Sequence, residues 1–96
     1  MSNVYIVNES AHDFSAAEKY GGIIFLSKGP MNRYSINNMM RQFSARMKDS
    51  SADDYIVPCS LNVMNSVASS ILAYKHGKLN ILLFKGGTYI ERNIVF

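Results

Sequence analysis

Lys28 and Arg33 flank a glycine-containing stretch, Lys28-Gly29-Pro30-Met31-Asn32-Arg33-Tyr34-Ser35, that runs into a helix-forming segment. Two cations ahead of a helix N-terminus suit a phosphate. Both donate charge-assisted hydrogen bonds, and the first-turn N–H groups of a helix lack partners of their own. Gly29 lets the backbone come close, Asn32 and Ser35 add polar atoms, and Tyr34 can stack on a base. The stretch is neither a P-loop nor a G-x-G-x-x-G turn. The plainer reading is a strand-to-helix connection with two solvated charges. A second turn, Asn8-Glu9-Ser10-Ala11-His12-Asp13, offers Asn8, Ser10 and His12. His12 can serve as a general base or bond a phosphate or a base, although a lone turn histidine is also a common surface residue. A third, Pro58-Cys59-Ser60-Leu61-Asn62, offers Ser60 and Asn62, equally suited to capping a helix.

Each turn follows a short apolar run and precedes a helical one. The runs predict strands at Asn3 to Val7, Ile23 to Leu26 and Tyr55 to Val57. A short helix is expected from Asp13 to about Tyr20, capped by Asp13 or Ser10 and closed by a left-handed Gly21-Gly22. A second runs from about Ser35 to Lys48, with Ile36, Met39, Met40, Phe43 and Met47 on one apolar stripe. A third runs from about Leu61 to His76, presenting Met64, Val67, Ala68, Ile71 and Leu72, and ends at Gly77 with Lys75, His76 and Lys78 near its negative end. Two more strands, Leu79 to Phe84 and Thr88 to Phe96, flank a tight Lys85-Gly86-Gly87 turn. Ile90, Ile94 and Phe96 are expected to bury together.

The order β-α-β-α-β-α-β-β predicts a single α/β domain over residues 1–96: one mixed sheet flanked by helices, with a C-terminal hairpin. If the first three strands are parallel, all three turns share the sheet edge where open α/β sheets bind ligands. The last strand, at a sheet edge, presents backbone groups that invite another chain.

The bulk numbers narrow the function. Hydrophobic residues are 48% and charged residues 18% of 96, which fits a globular chain and not a disordered one. The net charge of +3 suits an anionic small ligand but falls short of a duplex-binding stripe. One cysteine excludes an internal disulfide and points to a reducing cytosol. No secretory signal and no membrane-length apolar run is seen. Two histidines and one cysteine at no ligand spacing argue against a metal, and no cofactor is implied. Cys59 beside a helix start could be nucleophilic, but a small buried thiol is the simpler role. Asp53 and Asp54 are expected to be solvated charges at the far edge. A thin core and methionine-rich helices favour a homo-oligomer.

The stretches Tyr5-Ile6-Val7-Asn8-Glu9-Ser10-Ala11-His12-Asp13-Phe14-Ser15 and Lys28-Gly29-Pro30-Met31-Asn32-Arg33-Tyr34 resemble a family of small proteins carried by bacteriophages of gut Firmicutes. By architecture alone the chain is similar to small viral proteins that bind nucleotide immune signals and sequester or cleave them. That likeness implies a cytosolic phage protein acting as a sponge for an anionic nucleotide-like molecule. The alternatives are an interaction protein that blocks a host enzyme or complex, and a small metal-independent phosphodiesterase using His12. No activated nucleophile is visible, so sequestration is the expected mode.

Overall fold

The computed structural model describes residues 2–96. Its strands are β1 (Asn3–Ile6), β2 (Gly22–Phe25), β3 (Tyr55–Val57), β4 (Lys78–Lys85) and β5 (Thr88–Val95). Between them lie a 3₁₀ helix (Ser15–Tyr20), α1 (Ile36–Arg46) and α2 (Asn62–His76). The five-stranded sheet has the order β2-β1-β3-β4-β5. The first four strands are parallel and β5 is antiparallel to β4. The mixed α/β architecture is therefore the expected one, and the turns after β1, β2 and β3 do share one edge.

Alternation along β1 explains the layering. Tyr5 and Val7 join Ile56, Leu79 and the apolar residues of α1 and α2 in one core. Val4 and Ile6 face the opposite way, with Val57, Leu82 and Tyr89, against Phe14 and Ala17 beside the 3₁₀ helix. Two α-helices thus cover one face and a single short 3₁₀ helix covers the other. Strand order reverses between β1 and β3, which makes their C-terminal ends the topological switch point.

Several expectations are corrected. The first helix is 3₁₀ and buries only Ala17, so it lacks the apolar stripe that would sustain an α-helix. Asp13 accepts the Ser15 N–H at 2.9 Å, but Gly21 does not close the helix in the left-handed form. Its φ is 156°, and a Cβ there would sit 2.1 Å from the Ser2 carbonyl oxygen. In α1 only Met39 and Phe43 bury, with Met47 just beyond, because the helix rests one narrow face on the sheet; Ile36 and Met40 are exposed. Asp54 is 3% exposed, not solvated: it accepts the Asn3 N–H and the Ser51 N–H, each at 2.9 Å. Lys75 serves α1 and not its own helix end, donating to the Met47 and Lys48 carbonyls at 2.9 and 3.2 Å.

The hairpin turns through Gly86 and Gly87, both at positive φ, and keeps an unbroken register from Lys85↔Thr88 to Lys78↔Val95. Its burial differs from the expected pattern. Tyr89 is the buried residue of β5, Ile90 is half-buried, and Ile94 is exposed. Phe96 is 76% exposed. Among the described residues α2 precedes the hairpin, and no further helix lies over the outermost strand.

Gly21→Ala should lower stability by about 1–3 kcal/mol, the cost of forced overpacking. Gly22→Ala, whose Cβ would meet nothing nearer than Asn3 Oδ1 at 3.9 Å, should be close to neutral in the same urea titration. Asp54→Ala should cost about 1.5–3 kcal/mol, since it strips a carboxylate from buried N–H donors. Burial pushes the Tyr5 hydroxyl upward in pKa, with Asp54 adding to it, and burial also raises Tyr89. A raised folded pKa means the unfolded chain ionises first. The stabilising contribution is complete below about pH 10 and is lost as pH rises through the folded values. The urea midpoint should therefore fall at alkaline pH, and less steeply in Tyr5→Phe.

Candidate functional site

The segment after β2 crosses over the end of β1 on its way to α1. It brings Arg33 and Tyr34 against the start of α2, where they line a cleft of about 460 Å³ with Ser60, Leu61, Asn62 and Val63. The cleft lies at the strand C-terminal edge, at the switch point. Tyr34 is 85% exposed and stands as an open aromatic face at its rim.

The start of α2 meets this cleft, and the starts of both α-helices lack side-chain caps. α1 begins after Ser35 and α2 after Leu61, and neither of these residues makes a side-chain capping bond. Ser60 and Asn62, good caps by type, do not cap either. Neither helix has an acidic residue in its first turn. The positive end of the α2 dipole and the Arg33 guanidinium therefore share one concavity with no carboxylate among its lining residues. Ser60 adopts φ 61°, the left-handed conformation that costs a non-glycine residue, and it does so at the cleft wall. The turn is held by Asn65, whose side-chain oxygen accepts the Cys59 N–H at 2.9 Å. Leu61, Val63 and Asn65 belong to the site's construction without having been legible as such. Leu61 at the cap position was the available signal, since leucine cannot satisfy the first-turn N–H groups.

Other expected site residues lie elsewhere on the edge. Lys28 is 3.9 Å from Glu9 and lines a different groove, with Gln42 and Arg46. Asn8 ties two turns together, its amide donating to the Gly29 carbonyl at 3.2 Å while its side-chain oxygen accepts from Ser27 at 3.1 Å. Asn32 accepts the Tyr34 N–H at 2.9 Å and, with Ser35, lines a groove along α1. Ser10 accepts the His12 N–H. The His12 ring stands edge-on to Phe14 and Phe84, with centroids 4.8 and 4.9 Å away. Phe14 belongs to the core on the 3₁₀ face, so His12 is anchored there, away from the helix starts.

Cys59 is half-buried, and burial pushes its thiol above the ordinary range, with the Asn8 and Val7 backbone only partly offsetting that. A raised thiol pKa leaves little thiolate at neutral pH. Among the described residues no group of three His, Cys, Asp or Glu side chains stands together. Nor, among the described residues, is any helix long and apolar enough to cross a membrane.

Neither a curated protein nor a solved structure matches this chain. A family model described as Phage Pam3 gp32-like protein matches residues 2–95. Spanning nearly every residue of the sheet and its helices, that match makes the chain a member of the Phage Pam3 gp32-like protein family.

Proposed function

We propose that this phage-family protein binds and holds an anionic, nucleotide-derived molecule in the cleft between Arg33, Tyr34 and the start of α2, without chemistry on it. Such a protein acts as a sponge for an immune signalling molecule. The observation that carries the reading is the first turn of α2, its N–H groups uncapped and acid-free, sharing one concavity with Arg33. A phosphate supplies what those N–H groups lack, and Tyr34 offers a face for a base. The volume lies within the range of small-molecule sites, about 300–1,000 Å³. The left-handed Ser60 supports it, since strained backbone gathers at binding sites.

A second reading has an observation of its own. Ile36 and Met40 are exposed on α1, beside Tyr34, and form an apolar flank that suits a host protein. A blocker of this kind binds no nucleotide and co-purifies with its target.

A thermal-shift screen against cyclic dinucleotides and ADP-ribose derivatives tests the sponge. A ligand at 100 times its dissociation constant stabilises the fold by about 2.7 kcal/mol, and chromatography should recover it intact. Turnover of the ligand that disappears in His12→Ala would instead establish a phosphodiesterase. Charge-assisted contacts are worth about 1.5–3 kcal/mol, so Arg33→Ala should weaken binding tenfold to a hundredfold. Lys28→Ala, in the neighbouring groove, should change it far less. Equal affinity in Arg33→Ala and the parent chain would remove the cleft from consideration. Ser60→Gly should gain up to about 1 kcal/mol of stability by releasing the left-handed strain while losing affinity. Stability rising with affinity unchanged would show that Ser60 has no part in binding.

A further inference from the structure

Backbone groups along β5 alternate between β4 and the open edge. Lys85 and Thr88 flank a two-residue turn, and in such a hairpin that pair exchanges both N–H···O bonds. Thr88, Ile90, Arg92 and Ile94 therefore aim their backbone groups at β4. Phe96 continues the series, its N–H donating to the Gly77 carbonyl at 3.0 Å. Tyr89, Glu91, Asn93 and Val95 aim outward. The Tyr89 carbonyl is already taken by the Tyr20 hydroxyl at 3.1 Å. Apart from the Tyr89 N–H, the remaining outward groups belong to Glu91, Asn93 and Val95, a set symmetric about Asn93. The Glu91 carbonyl is met by the exposed Arg92 guanidinium, at 2.8 Å.

We propose that two copies of the chain join through β5, antiparallel about a two-fold axis at Asn93, and double the five-stranded sheet into one continuous sheet. The strand is complementary to itself in this register. Glu91 of each copy exchanges hydrogen bonds with Val95 of the other, and Asn93 with Asn93. On the face shared with α1 and α2, Ile90 lies opposite the second copy's Phe96, and Ile94 opposite the stem of its Arg92. Exposed Ile94 and Phe96 are thereby covered. Centring the axis on Glu91 sets two carboxylates opposite each other, and on Arg92 two guanidiniums, both destabilising. Centring it on Ile94 leaves the Glu91 groups outside the pairing. No proline, glycine or bulge interrupts β5, and its only charges, Glu91 and Arg92, are of opposite sign.

Sedimentation of the whole chain at tens of micromolar should give twice 10.8 kDa. Val95→Pro removes an outward N–H and no β4 bond, so it should keep the circular dichroism of the parent while weakening the dimer about tenfold or more. Amides of Glu91 and Asn93 should exchange slowly in the dimer and fast in Val95→Pro. Met40→Lys, on α1, should leave the dimer intact. A monomeric parent chain, a dimer that survives Val95→Pro, or one abolished by Met40→Lys would each overturn the proposal.

Discussion

Complete burial of one short run, Val4 to Val7, is the constraint on which the rest depends. A strand apolar on both faces cannot lie on the surface of a two-layer stack; it must be covered from both sides. The 3₁₀ segment covers Val4 and Ile6, and α1 with α2 cover Tyr5 and Val7. Right-handed crossovers then leave little freedom. A connection on one face carries the chain to one side of β1, and a connection on the other carries it back across to β3. The switch point is thus a consequence of burying Val4 to Val7, and the cleft opens where that logic places it.

The two ends of the sheet are finished differently. At the strand N-terminal edge, polar groups are closed off among themselves. Asp54 holds Asn3 and Ser51, and Asn80 donates to the Ala52 and Asp54 carbonyls while accepting from Asn93. Lys75 satisfies the Met47 and Lys48 carbonyls, just past the end of α1, there too. At the C-terminal edge the corresponding helix starts have no side-chain caps. The C-terminal-edge turns are tied by Asn8, Asn32 and Asn65, so what stays uncapped there is confined to the helix starts themselves.

Most of the architecture was legible because it is periodic. Tyr55 to Val57 is strand in the structure as in the sequence, and every other strand lies within a residue or so of its apolar run. Periodicity does not say how wide a face a neighbour covers, which is why Ile36 and Met40 read as core and stand in solvent. Residue type does not say which partner a polar group finds. Asp54 reads as a solvated connector charge until β1 delivers the Asn3 N–H to it. The cleft was legible by location and only partly by composition. Arg33, Tyr34, Ser60 and Asn62 converge, whereas Lys28, five positions before Arg33, stands at the near side of the crossover beside Glu9. Short sequence separation is no guide to proximity where the chain is traversing the sheet.

Unequal cover also decides how the hairpin behaves. The 3₁₀ helix, six residues long, is too small to shield its face alone. The first half of β5 completes the cover: Tyr89 is buried beside Phe14 and Ala17, and Tyr20 grips the Tyr89 carbonyl. Tyr89 keeps a buried hydroxyl without a partner in this role, which shows that packing and not polarity places it there. Binding the first half leaves the second half behind. From Glu91 onward β5 runs past the 3₁₀ helix on one face and past the last helix on the other, so its apolar side chains and outward amides are exposed together. The same shortage of helix that draws Tyr89 inward therefore creates the open edge.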